Sequence, residues 1–412
     1  MNITAVLDKI LPKVQKPSRY TGGELNSIVK DPSDVKARFA FCFPDVYEVG
    51  MSHLGIKILY HQFNCRKDTW VERVFAPWDD MEKQMRAEGV PLYALESRDP
   101  LKMFDFVGFT LQYEMSYSNV VNMLELADIP IYSAERGEKD PLVCAGGPCA
   151  YNGEPIADFI DFFIMGEGEE VWGEILDAYI AHKEQGGTRE EFLLKIAREI
   201  EGIYVPKFYD VCYKDDGRIE AITPNREGVP AKIRKRIILD MDKVYYPDAF
   251  VVPFMEIVHD RVMLEIFRGC IRGCRFCQAG MVYRPVRERS ADNLCELADK
   301  LIENTGYEEI SLSSLSTSDY RNFEGLASGL IDMAESKKVS LSLPSLRIDN
   351  ISLDILGKVQ TVRKSGLTFA PEAGTQRLRD VLNKGVTQED ILRSAKLVFD
   401  EGWSNVKLYF MM

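Results

Sequence analysis

The stretch that most constrains this chain is the segment 268–280, RGCIRGCRFCQAG, which contains the spacing CxxxCxxC. Its three cysteines are Cys270, Cys274 and Cys277. Three thiolates this close in sequence can wrap one metal centre, and soft sulfur ligands favour zinc or an iron–sulfur cluster. Structural zinc normally closes its tetrahedron with a fourth Cys or His, but Cys295 lies eighteen residues after the loop and His259 eleven before it. The missing fourth ligand indicates an open, catalytic metal position; structural zinc and coincidental buried cysteines are the alternatives.

The same loop resembles the signature of the radical S-adenosylmethionine (SAM) enzymes. An aromatic residue, Phe276, precedes its last cysteine, and the loop follows an apolar run at 262–267 that predicts a strand. The resemblance implies that the three cysteines hold a 4Fe-4S cluster whose open iron chelates SAM. An injected electron would then split SAM to give a 5′-deoxyadenosyl radical. It also implies that Phe276 contacts SAM and that an electron donor such as flavodoxin or ferredoxin is a partner.

Length and charge limit the remaining possibilities. A chain of 412 residues exceeds one ordinary core, so it predicts two domains and a linker. The formal charge of −13 argues against bulk nucleic-acid binding. Nine cysteines without a regular framework, and an N-terminus that does not read as a secretory signal, are typical of a reducing cytoplasm. The most apolar segment, 159–165, is far shorter than a membrane span, so we expect a soluble cytoplasmic protein.

From residue 37 onward, apolar runs of strand length alternate with amphipathic stretches. Strands are predicted at 38–43, 70–75, 92–95, 104–111, 142–145 and 159–165, with helices at 51–64, 78–88 and 117–127. This alternation implies right-handed crossovers and a parallel, doubly wound α/β sheet. Such sheets bind ligands beyond the carboxyl ends of their strands, which makes the turns there candidate contacts.

An alternating sheet that carries VCAGGP at 143–148 and FFIMGEGE at 162–169, ahead of a CxxxCxxC domain, resembles the cobalamin-binding domain found before many radical SAM enzymes. The resemblance implies cobalamin contacts at the strand ends, namely Thr110, Gly146, Gly147, Gly166 and Glu167. The Asp-x-His-x-x-Gly motif that supplies an axial histidine is absent. His53 is the nearest approach to it, although a histidine in the first turn of a helix is more often a cap. A domain that kept the fold and lost the cofactor is the competing interpretation.

These patterns divide the chain into four parts. We predict a lead-in at 1–36, a cobalamin-binding-like α/β domain at 37–185, a helical and hairpin linker region at 186–255, and a radical SAM core at 256–412. The hairpin is predicted from strands at 203–213 and 219–223 around the turn KDDG.

Behind the cysteine loop, the carboxyl-terminal part repeats strand and helix as an incomplete (β/α) barrel. In the radical SAM family, strand ends contact SAM, and the resemblance carries this role to Ser313, Ser314, Ser342, Arg347 and Glu372. Purely structural roles are the alternatives: the serines could cap a helix beginning near Asn322, and Glu372 could cap the helix that follows it. Arg284, Arg287 and Arg289 gather after the loop, where they could grip a carboxylate or offset cluster charge.

The sequence ends on a predicted strand at 406–412, and we expect a truncated barrel that a further extension or a separate chain completes. The favoured function is reductive SAM cleavage that starts radical chemistry on an unknown substrate, with cobalamin-dependent methylation as a second step. The alternatives are a cobalamin-free modification, such as methylthiolation of tRNA or protein, and a non-catalytic iron–sulfur scaffold or sensor.

Overall fold

The structure is a computed structural model that describes residues 3–344, 367–400 and 402–412. The chain divides into two units. Unit 1 comprises Met1–Ile238 and Val251–Val258, and unit 2 comprises Leu239–Phe250 and His259–Met412. Each unit is an α/β structure, as the alternating pattern predicts.

Unit 1 is built on a six-stranded sheet. Its strands are β1 (Ala37–Phe43), β2 (Thr69–Phe75), β3 (Phe106–Thr110), β4 (Leu142–Gly146), β5 (Phe162–Ile164) and β6 (Ile203–Tyr204). Its helices are α1 (Ile3–Ile10), α2 (Tyr47–Gly50), α3 (Leu54–Asn64), α4 (Asp79–Glu88), α5 (Tyr117–Leu126), α6 (Gly168–Glu184) and α7 (Arg189–Glu199). The strand order is β2-β1-β3-β4-β5-β6, with the first five parallel and β6 antiparallel to β5. The predicted parallel, doubly wound sheet is confirmed.

This strand order reverses direction between β1 and β3, and such a switch point opens a crevice at the carboxyl end of the sheet. All seven residues of β1 and of β2 are buried, as expected for strands covered on both faces. The charged pair in the middle of β2 is paired within the core: Glu72 with Arg38 at 2.5 Å, and Arg73 with Glu24 at 2.7 Å. Pairing is what allows these charges to be buried.

Two strand predictions in unit 1 need correction. Residues 92–95 form no ladder; the Leu95 N–H donates to the Arg73 carbonyl at 2.9 Å and the Ala94 N–H to the Asp99 carbonyl at 3.0 Å. Arg98, with a φ of 63°, turns the chain sharply there, so the apolar run packs as a buried loop. The strand predicted over 203–213 is divided: β6 joins the main sheet, whereas β7 (Tyr209–Tyr213) pairs with β8 (Ile219–Pro224) in the predicted hairpin.

The described residues of unit 2 form two parallel sheets and a two-stranded antiparallel ribbon. Its strands are β9 (Val262–Glu265), β10 (Phe267–Arg268), β11 (Arg287–Glu288), β12 (Glu309–Ser313), β13 (Ser340–Ser342), β14 (Leu367–Glu372) and β15 (Val406–Phe410). Its helices are α8 (Ala279–Tyr283), α9 (Ala291–Thr305), α10 (Phe323–Lys337), α11 (Gln376–Leu382) and α12 (Gln388–Asp400). The described sheets are β13-β12-β9 and β14-β15, both parallel, and β10 pairs with β11.

No helix in the described ranges combines the length and the apolar character needed to cross a membrane.

Candidate active site

The cysteine loop, residues 269–278, leaves β10 and enters helix α8 in unit 2. Gly269 starts it with a φ of 90°, and a Cβ at this position would lie 2.6 Å from the Pro285 carbonyl oxygen, so only glycine fits. The thiols of the loop are free; Cys270 and Cys274 are half-buried and Cys277 is exposed.

Hydrogen bonds hold the first half of the loop. Arg284 donates from Nε to the Cys270 carbonyl at 3.1 Å and from Nη2 to the Arg272 carbonyl at 2.6 Å. The Arg272 N–H donates to the Cys270 sulfur at 3.4 Å. The Arg272 guanidinium pairs with Asp319, just beyond β12. The predicted arginine at 284 therefore positions the loop backbone, and Asp319 is a partner that the sequence did not reveal.

The described residues contain no group of three or more His, Cys, Asp or Glu side chains already arranged around one metal position. The fit of an iron–sulfur cluster is therefore judged on donor chemistry. Three free thiols lie within eight residues on a loop without regular structure, and one already accepts a backbone N–H. This donor set fits a cluster held by three thiolates.

The serines predicted for SAM lie at the carboxyl end of β12. The Ser313 carbonyl accepts the Ile266 N–H at 3.1 Å, and the Ser314 hydroxyl lies 3.0 Å from the Thr317 hydroxyl. Both serines are half-buried. Helix α10 begins after Asn322 without a described side-chain cap, so the alternative that these serines cap it is not supported.

Ser342 ends β13 and stands opposite Ser311 of β12 in the parallel register. The strand alternates in burial, with Leu341 buried between two half-buried serines. Because β12 and β13 are neighbours, Ser342 and the serines ending β12 share one sheet edge. Arg347 lies outside the described residues.

Glu372 is the last residue of β14, and its side chain is paired with Lys384, whose Nζ lies 2.9 Å from Oε1. Helix α11 is capped by Thr375 instead, whose hydroxyl accepts the Leu378 N–H at 3.3 Å. Glu372 has a φ of 67°, a left-handed conformation that costs a non-glycine residue about 1 kcal/mol. Strain at a strand end is a common mark of a functional position.

Lys384 also connects Glu372 to the cysteine loop. Its ammonium lies 5.9 Å from the centroid of the Phe276 ring, which is 43% exposed. The structure thus brings two predicted SAM contacts, Phe276 and Glu372, to one lysine. Lys384 was not predicted as a site residue, although it belongs to the LxxxxxKG stretch at 378–385.

The other two arginines after the loop are buried and make short-range contacts. Arg287 donates to the carbonyls of Pro285 at 3.0 Å and Tyr283 at 3.1 Å. Arg289 donates from Nη1 to Asn293 at 3.1 Å and lies over the Tyr246 ring at 4.9 Å. Their described contacts are structural.

In unit 1, three of the residues predicted for cobalamin meet near the switch point. Thr110 ends β3 and Gly146 ends β4, and the two are register partners. Gly147, with a φ of 97°, lets the chain pass so close to β3 that a Cβ would lie 2.8 Å from the Leu111 carbonyl oxygen. At Gly146 the atom nearest to an added Cβ is 3.8 Å away, so room remains there.

The other two predicted cobalamin residues have partners within the chain. A Cβ on Gly166 would lie 2.2 Å from the Arg236 carbonyl oxygen, because this glycine forms a parallel bridge with Arg236. The Glu167 carboxylate accepts the Ile238 N–H at 2.6 Å. The backbone of 236–238 thus covers the turn after β5, and sequence alone did not predict this segment's path.

His53 caps helix α3, which is the structural role that its place in the first turn of a helix predicts. Its Nδ1 accepts the Ile56 N–H at 3.2 Å, which places the proton on Nε2. Burial lowers the pKa of His53 to about 4, against a hydrogen bond with Gln112 that raises it. Gln112 in turn donates to the Thr110 hydroxyl at 2.7 Å, forming a polar chain from His53 to Thr110. With Nδ1 engaged by the helix and Nε2 protonated, this histidine has no nitrogen available for a metal.

Family models match both units. The model for the N-terminal region of radical SAM proteins matches residues 55–206, and the model for the radical SAM superfamily matches residues 264–412, which include the cysteine loop. The chain belongs to the radical SAM superfamily. Membership implies a 4Fe-4S cluster and SAM, and a radical SAM enzyme requires a reductant and a substrate.

Two curated relatives come from Methanocaldococcus jannaschii. The uncharacterized protein MJ0966 is 28% identical over 376 residues, which cover 90% of this chain and 69% of the relative. The putative methylthiotransferase MJ0865 is 25% identical over 148 residues, which cover 34% of this chain and 33% of the relative.

Among solved structures, the chain is similar to two cobalamin-dependent or cobalamin-containing radical SAM enzymes. OxsB with aqua-cobalamin and SAM bound matches with a TM-score of 0.57 and 14% identity, over 91% of this chain and 49% of that chain. TsrM, a methyltransferase from Kitasatospora setae with cobalamin and a 4Fe-4S cluster bound, matches with a TM-score of 0.57 and 13% identity, over 91% and 69%. The chain thus spans about half the length of OxsB, and the likeness concerns the fold.

Proposed function

We propose that this protein is a radical SAM enzyme that reductively cleaves SAM and starts radical chemistry on a substrate of unknown identity. The observation that carries the proposal is the CxxxCxxC loop: free thiols lie on a backbone held by Arg284 and by helix α11, within a segment that the superfamily model matches.

The residues of unit 2 would divide the work as follows. Cys270, Cys274 and Cys277 would hold the cluster, which supplies the electron that cleaves bound SAM. The hydroxyls of the serines that end β12 and β13 would accept hydrogen bonds from the amino group of SAM, and the Glu372 carboxylate would accept hydrogen bonds from the ribose hydroxyls of SAM. Phe276, partly exposed on the loop, would pack against SAM. Because Lys384 already neutralises Glu372, this carboxylate could be buried by a neutral ribose without a large penalty.

We further propose that unit 1 binds cobalamin in the crevice between β1 and β3, where the cofactor would supply a methyl group for transfer to a carbon radical. Thr110, Gly146 and Gly147 line this edge, and the loop after β3 exposes two apolar side chains, Tyr113 at 62% and Met115 at 73%. A large ligand with apolar edges would cover such side chains. The cobalamin named for OxsB and TsrM favours the same assignment. The cobalamin contacts of Gly166 and Glu167 remain predictions. Each of these residues has a partner within the chain, which cobalamin would have to displace or share.

The hydrogen bonds of His53 favour cobalamin without a histidine ligand. Its Nδ1 lone pair is used by helix α3, and its Nε2–H faces Gln112. A corrinoid held here would therefore receive no ligand from His53.

A second candidate is cobalamin-free methylthiolation of tRNA or protein. The observation in its favour is the similarity to the putative methylthiotransferase MJ0865. An electron donor such as flavodoxin or ferredoxin, the cytoplasmic location, and an extension or separate chain that completes the barrel remain predictions.

One anaerobic preparation tests these proposals. Reconstituted protein is expected to show the broad absorption of a 4Fe-4S cluster and to release 5′-deoxyadenosine from SAM when dithionite is added. Corrinoid bands after incubation with hydroxocobalamin and gel filtration would support the methylation proposal, and their absence would favour the cobalamin-free reaction. Zinc in place of iron, or SAM left intact by the reduced protein, would contradict the radical SAM proposal.

A further inference from the structure

The end of helix α11 holds the middle of the cysteine loop. The Arg275 N–H donates to the Leu382 carbonyl at 3.0 Å, and the Arg275 guanidinium donates to the Val381 carbonyl at 2.5 Å. The Asn383 side-chain amide donates to the Gly273 carbonyl at 2.8 Å. The residues on either side of the loop's second cysteine, Gly273 and Arg275, are therefore fixed by the end of a helix more than a hundred residues further along the chain.

Asn383 is suited to this contact by its conformation. It follows the last residue of α11 in the left-handed region, with a φ of 55°, and its own N–H closes the helix by donating to the Asp380 carbonyl at 3.0 Å. Asparagine tolerates this conformation, and the helix end leaves its amide pointing outward. The fit is close, since a Cβ on Gly273 would lie 3.0 Å from the Asn383 Nδ2.

The same helix end reaches the predicted SAM subsite. Lys384, the next residue, bonds Glu372 at 2.9 Å and lies over the Phe276 ring. Residues 383 and 384 thus contact the cysteine loop on one side and the strand end of β14 on the other. A shift at either place is passed on through a single turn of backbone.

We propose that Asn383 is a positioning residue that couples the cysteine loop to the SAM subsite at Glu372. This inference rests on the proposed function. It holds that the Asn383–Gly273 bond keeps the loop in the geometry that takes up the cluster, and that bound SAM strengthens this bond by ordering Glu372 and Lys384. Because binding couplings are reciprocal, SAM should raise the affinity for the cluster by the same factor by which the cluster raises the affinity for SAM, and we expect iron release to be slower when SAM is bound.

The test uses the full chain, reconstituted with iron and sulfide, and measures the rate of iron release to a chelator with and without SAM. The test variant is Asn383→Gly, which removes the amide but fits the left-handed conformation better. The control is Lys338→Gly, which relieves a left-handed residue (φ 57°) at the exposed end of helix α10, away from the loop. A hydrogen bond of this kind contributes about 1 kcal/mol, which corresponds to about fivefold in an equilibrium constant.

We expect Asn383→Gly to release iron about fivefold faster than wild type and to lose most of the protection by SAM. Its thermal stability without iron should stay close to that of wild type, because relief of the left-handed conformation offsets the lost hydrogen bond. Lys338→Gly should match wild type in release rate and in protection. Wild-type values in Asn383→Gly would overturn the inference while leaving the proposed function intact. A wild-type chain that binds no cluster, or whose cluster SAM does not protect, would overturn both.

A second variant approaches the same contact from the loop. Gly273→Ala adds a methyl group 3.0 Å from the Asn383 amide and should speed iron release in the same direction. In the double variant with Asn383→Gly, the added methyl group has nothing to strike and should cause no further loss. Additive effects would mean that the two residues act separately and would contradict the coupling. If Asn383→Gly does not fold, Gly273→Ala alone decides: an unchanged release rate would overturn the inference.

Discussion

Replacing His53 by Asn should make the acid stability of unit 1 measurably greater. The pKa of His53 is lowered by burial from its usual 6.5 to about 4, and its Nδ1 caps helix α3. A histidine whose pKa is lower in the folded state does not affect stability well above pH 6.5. As the pH falls toward 4, the unfolded chain takes up a proton that the folded chain does not, and stability is lost. Asparagine is an equally good helix cap and does not titrate.

The magnitude follows from the two pKa values. At pH 5 the linkage relation gives a penalty of about 2 kcal/mol for the wild type, and at pH 7 it gives about 0.2 kcal/mol. The full penalty, reached below pH 4, is about 3 kcal/mol. The difference in unfolding free energy between His53→Asn and wild type should therefore grow by about 2 kcal/mol between pH 7 and pH 5.

Urea unfolding of the iron-free chain, followed by tryptophan fluorescence, measures this difference. Three of the four tryptophans, at 70, 78 and 172, belong to unit 1, so the signal reports on that unit. Groups that titrate in both proteins cancel in the comparison, and equal differences at pH 7 and pH 8 provide the control. If the two proteins lose stability in parallel between pH 7 and pH 5, His53 is not a buried neutral cap.

Three further predictions concern the two sites. Alanine at any one cysteine of the CxxxCxxC loop should abolish stable iron binding and 5′-deoxyadenosine release, whereas Cys295→Ala should retain both. Assays of bound iron and of 5′-deoxyadenosine check this, and an equal loss of either in Cys295→Ala would contradict it. Glu372→Gln should weaken SAM binding about tenfold, because a charge-assisted hydrogen bond becomes a neutral one, while the iron content should stay unchanged. Equilibrium dialysis measures the SAM affinity, and an unaltered affinity would show that Glu372 does not contact SAM. Gly147→Ala should cost about 2 kcal/mol of stability because of the positive φ of Gly147 and its close approach to β3, whereas Gly146→Ala should leave stability nearly unchanged and weaken corrinoid binding. Thermal melts measure the stability and a hydroxocobalamin titration measures the binding. Tight corrinoid binding by Gly146→Ala would argue against this edge of the sheet as the cofactor site.

Local patterns were sufficient to predict most of the fold. The alternation of strand-length apolar runs with amphipathic stretches was sufficient to predict the parallel sheet of unit 1. The pattern failed at 92–95, where an apolar run of strand length is buried as a loop. Periodicity records that such a run is buried but not whether its backbone finds a ladder partner.

The cysteine motif of the site could be predicted from sequence, but the contacts that hold the cysteine loop could not. The spacing of the cysteines is local, so sequence could identify them. The contacts that hold the loop join it to Asp319, Lys384 and Asn383, and they are set by tertiary packing, which no local pattern encodes. Gly166 shows the same limit: its cobalamin contact, implied by a resemblance, remains a prediction, whereas its parallel bridge with Arg236 is a tertiary contact that no local pattern indicates.

The proposed function depends on an iron–sulfur cluster that leaves one iron open for SAM. Electron paramagnetic resonance of the dithionite-reduced protein, recorded with and without SAM labelled with ¹⁵N at its amino group, tests this most directly. With one iron open, SAM should change the g-values of the reduced cluster, and pulsed measurements should detect a hyperfine coupling to the label. A spectrum that SAM leaves unchanged, with no coupling to the label, would show a closed metal site and contradict the proposed function.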